Sequence, residues 1–255
     1  MSDEIKLGCV DFLNGLPLIY PLDKGLLPHP FDIEKDVPSA LNEGLRSGKY
    51  DIALASSASL LTLGDGYSYI PGIGICSDGP VASVCIFHEG PIESVGAVYL
   101  DPASRTGNAL AKIILKHQYS VNPEFIGPGD NPPSPGGLAE GEGCVLIGDR
   151  ALKASTEFYD RIDLGEAWYG MTGLPFVYAL WIGRKEFITD EVGIPLRNSL
   201  LMGKSMIGEI VASCPDLPVT KEIAETYLRK HILYDVTNDA EAGLGRFLHL
   251  AEEYI

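Results

Sequence analysis

Between residues 5 and 57, apolar runs of strand length alternate with helix-spaced segments, and most junctions carry a proline or a glycine. IKLGCV (5–10) reads as a strand and Pro17–Lys24 as a short helix ended by Pro21 and Gly25. FDIEKDV (31–37) alternates like a second strand. PSALNEGLRSG (38–48) then reads as a helix starting at Pro38 and stopping at Gly48, and DIALASS (51–57) as a third strand. Strand, helix and strand this close together imply a parallel sheet with right-handed crossovers, hence an α/β fold.

The pattern restarts further on. VASVCIF (81–87), SVGAVYL (94–100), GCVLIGD (143–149) and VYALWIGR (177–184) read as strands, and NALAKIILKHQ (108–118) as a helix. GPGDNPPSPGGLAEGEG (127–143) is loop-like and is taken as a surface loop. The last quarter is helical, over segments 190–213, 220–232 and 239–255. We therefore expect two α/β lobes. The first is discontinuous, built from residues 1–88 plus 183–255, and the second spans residues 89–182. Ligands of such folds sit in the crevice at the carboxyl ends of strands. That places interest on the loops at 11–14, 56–57, 78–80, 101–107 and 149–150.

Charge narrows the partners. With 19 Lys and Arg against 35 Asp and Glu the net charge is −16. Such a surface repels nucleic acid and anionic membrane, and an anionic small molecule needs a local patch of donors. No run is apolar enough to cross a bilayer, and MSDEIKLGCVDF lacks the features of a signal peptide. The five cysteines lack C-x-x-C spacing. Cys9, Cys85 and Cys144 sit in apolar runs, so they read as buried free thiols of a reducing cytoplasm, and Cys76 is expected to be structural. The histidines are isolated, Walker, G-x-S-x-G and H-E-x-x-H motifs are missing, and GIGIC (72–76) lacks the third glycine of a dinucleotide loop. Neither a metal nor a cofactor is expected.

Small polar groups at strand ends are the remaining candidates. Asn14, at the turn in CVDFLNGLPLIY, either caps the following helix or faces a ligand. In DPASRTGNAL, Ser104, Arg105 and Thr106 precede a helix whose free N–H groups favour an anion. Arg105 offers a bidentate grip on a carboxylate, or else pairs with Asp101. Ser56 and Ser57 end a buried strand. Ser83 interrupts an apolar one, so its hydroxyl needs a partner inside the protein or a cavity to face. Asp149 points into the cleft or caps a helix beside Arg150. Thr172 and Gly173 form a turn able to offer N–H groups, while Trp168 and Trp181 read as core.

Taken in order, CVDFLNGLPLIY, DIALASSASLL, ICSDGPVASVCIF, LDPASRTGNALAKIIL, LIGDRAL and DLGEAWYGMTGLPFVYALW resemble the chorismate dehydratases of menaquinone biosynthesis by the futalosine route. The resemblance weakens in the C-terminal helices, and Gly107 stands where a Ser is expected. It implies a type II periplasmic-binding-protein-like fold with a ligand cleft between the lobes, and a lyase that dehydrates chorismate without a cofactor. It further implies that Asn14 and Ser83 are catalytic, orienting the reacting ring and its leaving hydroxyl. Ser104, Arg105, Thr106 and the backbone of Gly107 would hold a substrate carboxylate, with Ser56, Ser57, Asp149, Thr172 and Gly173 completing the binding set. Two bases stay open, the substrate's own enolpyruvyl carboxylate and, from the protein, Asp149. The competing readings are the related naphthoate-forming lyase, disfavoured by VDFLNGLP, a non-catalytic cytoplasmic binder of an aromatic carboxylate, and a transport receptor.

Overall fold

The computed structural model describes residues 4–127, 133–158 and 160–255, so part of the loop expected at 127–143, namely residues 128–132, lies outside the described residues. The chain opens with β1 (Ile5–Val10), α1 (Leu16–Asp23), β2 (Phe31–Asp36), α2 (Pro38–Ser47), β3 (Ile52–Ser56), α3 (Ser59–Leu63) and β4 (Tyr67–Ser77). A second group follows: β5 (Val84–His88), β6 (Ala97–Tyr99), α4 (Arg105–His117), β7 (Glu124–Ile126), β8 (Glu142–Ile147), α5 (Gly148–Glu157), β9 (Arg161–Asp163) and α6 (Leu164–Thr172). The chain closes with β10 (Phe176–Arg184), α7 (Asp190–Ser205), α8 (Ile207–Ser213), α9 (Lys221–Thr226), β11 (Leu233–Asp235) and α10 (Asn238–Ala251).

The strands form two sheets, one ordered β11-β4-β10-β3-β1-β2 and the other β7-β6-β8-β5-β9. As expected from the opening βα alternation, β1 runs parallel to β2 and β3. The sheets are nevertheless mixed, because β10 lies antiparallel between β3 and β4, and β5 antiparallel between β8 and β9. Strand pairing also moves both expected lobe boundaries. The expected boundary at residue 88 puts β5 in the first lobe, yet β5 sets Val84 opposite Ile147 in the second sheet. The expected boundary at residue 182 puts most of β10 in the second lobe, yet β10 sets Leu180 opposite Ala55 in the first sheet. The chain therefore leaves the first sheet between Ser77 and Val84 and returns through α6 to Phe176.

Local chemistry explains several element ends. Pro38 opens α2 and Gly48 closes it at φ 77°, a left-handed conformation that glycine adopts without a Cβ penalty. Pro17 sits in the first turn of α1, where a missing N–H breaks nothing, whereas Pro21 does not end the helix but lies inside it, shortly before Asp23, where it forgoes one i to i−4 bond. Trp168 and Trp181 are fully buried, Trp168 edge-on to Phe176 and Phe247, so both are core. Cys9, Cys76, Cys85 and Cys144 are buried free thiols, each pushed up to about 12 by burial. Among the described residues no helix is long and apolar enough to cross a membrane, and no cluster of metal-ligating side chains occurs.

Candidate active site

Strands β1, β2 and β3 of one sheet and β6 and β8 of the other run into α1, α2, α3, α4 and α5, and the loops at these strand ends border one cleft. It holds about 590 Å³ of space between atoms, part of it open to solvent. Its walls are apolar, with Val10, Phe12, Leu54 and Ile75 on one side and Val84 and Ile147 on the other. The polar groups reaching it are neutral: Asn14, Ser56, Ser83, Ser104, Thr106 and the hydroxyl-bearing Tyr178. No charged side chain lines it among the described residues.

One end of the cleft is the first turn of α4. Ser104 caps this helix, its Oγ accepting from Gly107 N at 2.9 Å. The preceding turn is built on buried Asp101, whose carboxylate accepts from Ala103 N at 2.8 Å, Ile147 N at 3.0 Å and the Arg150 guanidinium at 2.8 and 2.9 Å. Asn108 ties the same turn to the helix, accepting from Asp101 N and donating to Asp101 O. These bonds aim the free N–H end of a 13-residue helix at the cleft, a fixed positive partial charge. A Cβ at Gly107 would meet Ile147 Cγ2 at 2.9 Å, so the glycine lets the helix end approach β8 closely.

The other polar feature is a hydrogen-bond chain. Asn14 Nδ2 donates to the Tyr227 hydroxyl at 3.1 Å, and Tyr227 donates to Ser83 Oγ at 2.8 Å. Asn14 Oδ1 is buried without a partner among the described residues. Asn14 does not cap a helix: the N-caps here are Phe12 and Gly15, and neither start carries a side-chain cap bond. Tyr234 donates to Asn14 O at 3.1 Å and fixes its backbone. Burial pushes the Tyr227 phenol well above the ordinary tyrosine value, so it stays neutral.

Ser83 owes its aim to the crossing loop. Ala82 sits at φ 61°, a left-handed conformation that costs a non-glycine residue energy and recurs at functional sites. Asp163 holds it there, accepting from Val81 N at 3.1 Å and Ala82 N at 2.6 Å. The same carboxylate caps α6 through Gly165 N and Glu166 N. Both chain crossings thus share one carboxylate.

The structure brings Asn14, Ser56, Ser83, Ser104, Thr106 and Gly107 together around the cleft and leaves the other expected site residues outside its lining. Ser57 is buried behind the wall, its Oγ donating to Val177 O at 2.7 Å. Arg105 is exposed and outside the lining, its side chain leaving the first turn of α4 toward solvent while Thr106, the next residue, is buried; Arg150, not Arg105, pairs with Asp101. Asp149 accepts from Leu13 N at 3.1 Å and ties α5 to the Asn14 turn instead of lining the cleft. Thr172 and Gly173 close α6: Thr172 Oγ1 donates to Trp168 O and accepts from Leu174 N, and Gly173 takes the left-handed cap at φ 69°. Neither lines the cleft. Tyr227, Tyr178 and Asp163 escaped sequence reasoning. The first two read as apolar positions of a helix and a strand, and Asp163 finds its loop partners only through the fold.

Known proteins place this cleft in context. A sequence profile of a family described as menaquinone biosynthesis matches residues 5–253. The chorismate dehydratase of Thermus thermophilus is 31% identical over 198 residues, 69% of this chain and 70% of that protein. The chorismate dehydratase of Campylobacter jejuni is 32% identical over 177 residues, 68% of this chain and 64% of that protein, just under two thirds of its length. A Candida albicans protein with the generic periplasmic binding protein fold superposes with a TM-score of 0.66 at 13% identity, over 97% of this chain and 89% of that one. This last likeness concerns the fold alone.

Proposed function

Since the chain belongs to the menaquinone-biosynthesis family, we propose that its cleft dehydrates chorismate to 3-[(1-carboxyvinyl)oxy]benzoate and water. One observation carries the reading: the Asn14–Tyr227–Ser83 chain and the α4 N-terminus both reach a cleft lined by neutral side chains. That arrangement suits a dianion that brings its own base.

The proton lost from chorismate sits on the ring carbon bearing the enolpyruvyl ether. Its removal spreads charge through a ring double bond onto the ring carboxylate. With that carboxylate at the first turn of α4, preorganised N–H groups meet the charge as it develops. Ser104 and Thr106 shape this end, and Ser56, which accepts from Thr106 Oγ1 at 3.0 Å, extends it. The hydroxyl on the adjacent carbon leaves next. Ser83 donates to it, and Asn14 Oδ1, lacking a protein partner, accepts its proton-bearing side in the bound substrate. The base is the enolpyruvyl carboxylate, held close by its own ether link at high effective molarity. It passes the proton to the departing hydroxide, so one water forms for each ring made aromatic.

Asp149 is a poor rival for this role, since its carboxylate is engaged with Leu13 N outside the lining. The chemistry requires no cofactor, because aromatisation drives it. We place the reaction in the cytoplasm, where four buried unpaired thiols remain reduced. Chorismate deuterated at the ether-bearing carbon tests the reading. The product should lose the label to solvent and form more slowly; a product that retains it contradicts the proposal.

A further inference from the structure

We infer that Tyr227 is a positioning residue for the dehydration, one that turns the Ser83 hydroxyl proton toward the cleft and holds the Asn14 amide in its plane; this rests on the reading that Ser83 and Asn14 act on the substrate. The inference follows from counting donors. A phenol has one proton, and Tyr227 spends it on Ser83 Oγ at 2.8 Å while accepting from Asn14 Nδ2 at 3.1 Å. Ser83 Oγ is therefore an acceptor toward Tyr227, and its own proton has to point elsewhere. Ser83 is 1% exposed, and the open space it borders is the cleft. Successive donation from amide to phenol to hydroxyl also polarises the last donor in the series. Tyr227 itself is absent from the cleft lining, so it acts through its two partners and not on the substrate.

The segment carrying Tyr227 is built to hold this position. Tyr227 opens a π-helical turn, Tyr227–His231, directly after α9, a geometry that recurs where a side chain must be re-aimed. At the far end of the turn the His231 ring meets Pro80 O at 3.1 Å, so the turn is tied twice to the loop carrying Ser83. Seven residues beyond Tyr227, Tyr234 donates to Asn14 O. The C-terminal segment thus grips both candidate catalytic residues from behind the cleft. In the sequence it reads only as an amphipathic helix.

The test is turnover of chorismate by the full chain, by Tyr227→Phe, by Ser83→Ala and by the double variant. Tyr227→Phe is expected to lower kcat by about 10- to 100-fold with KM within about threefold, because the donor loses its direction and the pocket keeps its shape. In the Ser83→Ala background the same change should cost clearly less than in the native chain, since one of the two groups it positions is gone and only the Asn14 amide is left to lose. Equal losses in both backgrounds would show a merely structural role and overturn the inference, as would wild-type kcat in Tyr227→Phe. If the phenylalanine variant loses cooperative unfolding, a ring-fluorinated tyrosine at position 227 keeps the shape but strengthens the donor. A changed kcat then supports the inference and an unchanged one overturns it. Unmodified protein that leaves chorismate intact instead overturns the functional reading, and the inference falls with it.

Discussion

Replacing Asn14 with alanine separates the two roles that a turn asparagine can play. The substitution removes the bond from Nδ2 to the Tyr227 hydroxyl, worth about 1 kcal/mol net. It also removes Oδ1, a buried acceptor without a partner, whose desolvation costs the native state about 1–3 kcal/mol. The two effects oppose each other. The backbone bond from Tyr234 to Asn14 O survives, and no helix cap is lost. Net stability should therefore change by no more than about 1 kcal/mol, a shift in Tm of about 2–4 °C at this chain length. Activity should respond on another scale, since losing a polar contact made in the transition state costs about 100- to 1,000-fold in kcat. Thermal unfolding and chorismate turnover of the same preparation give both quantities. A loss of turnover under about threefold, or one explained by more than about 2 kcal/mol of destabilisation, would refute the reasoning.

Three further substitutions probe the frame around the cleft. Burial raises the Asp149 carboxyl above its ordinary 3.8, so the folded chain holds this proton more tightly than the unfolded one. Its stabilising contribution is complete below 3.8 and is lost as pH rises through the folded-state value. Asp149→Asn, which still accepts from Leu13 N, should thus gain stability relative to the native chain as pH climbs out of the acid range. Denaturant titrations across that range check the sign, and turnover that collapses in this variant would make Asp149 the base after all. Thr106→Val removes a buried hydroxyl that accepts from Ala58 N and donates to Ser56, both at 3.0 Å, across the two sheets' elements. It should cost about 1–3 kcal/mol and raise KM, measured by unfolding and steady-state kinetics. Gly107→Ser forces its Cβ against Ile147 Cγ2 and should destabilise by about 1–3 kcal/mol while narrowing the cleft, seen as a raised KM.

Where local chemistry decides, the sequence was readable. Pro38 and Gly48 bracket α2, and the apolar runs of β1, β3 and β8 could hardly be anything but buried strands. Tertiary pairing decides the rest. The 11-residue β4 contains Pro71, Gly72 and Gly74, residue types that weaken a strand; it is a strand because β10 pairs along it through two irregularities, with Gly72 at φ 82°. β9 and β11 are three residues each, too short for a period to show. β5 joined the second sheet through antiparallel partners far away in sequence, which no local pattern announces.

The site divides along the same line. Asn14, Ser83, Ser104 and Thr106 stood out as small polar residues at strand ends or within an apolar run, and they do border the cleft. Arg105 stood out equally, but helix rotation faces it outward, so a local motif cannot say which of its side chains points in. Thr172 and Gly173 offered turn chemistry, and the turn is used to end α6. Tyr227 could not be distinguished from a core tyrosine, since its hydroxyl gains meaning only from residues 144 and 213 positions away.

The measurement that bears most directly on the account is incubation of the purified chain with chorismate, with products separated by chromatography and weighed by mass spectrometry beside an enzyme-free control. The account predicts an aromatic product lighter by one water that still carries the enolpyruvyl ether, formed at a rate that falls sharply in Ser83→Ala. Chorismate that stays intact while raising the Tm would make this cleft a binder and not a catalyst. A product of unchanged mass, or one that has released pyruvate, would contradict the dehydration itself.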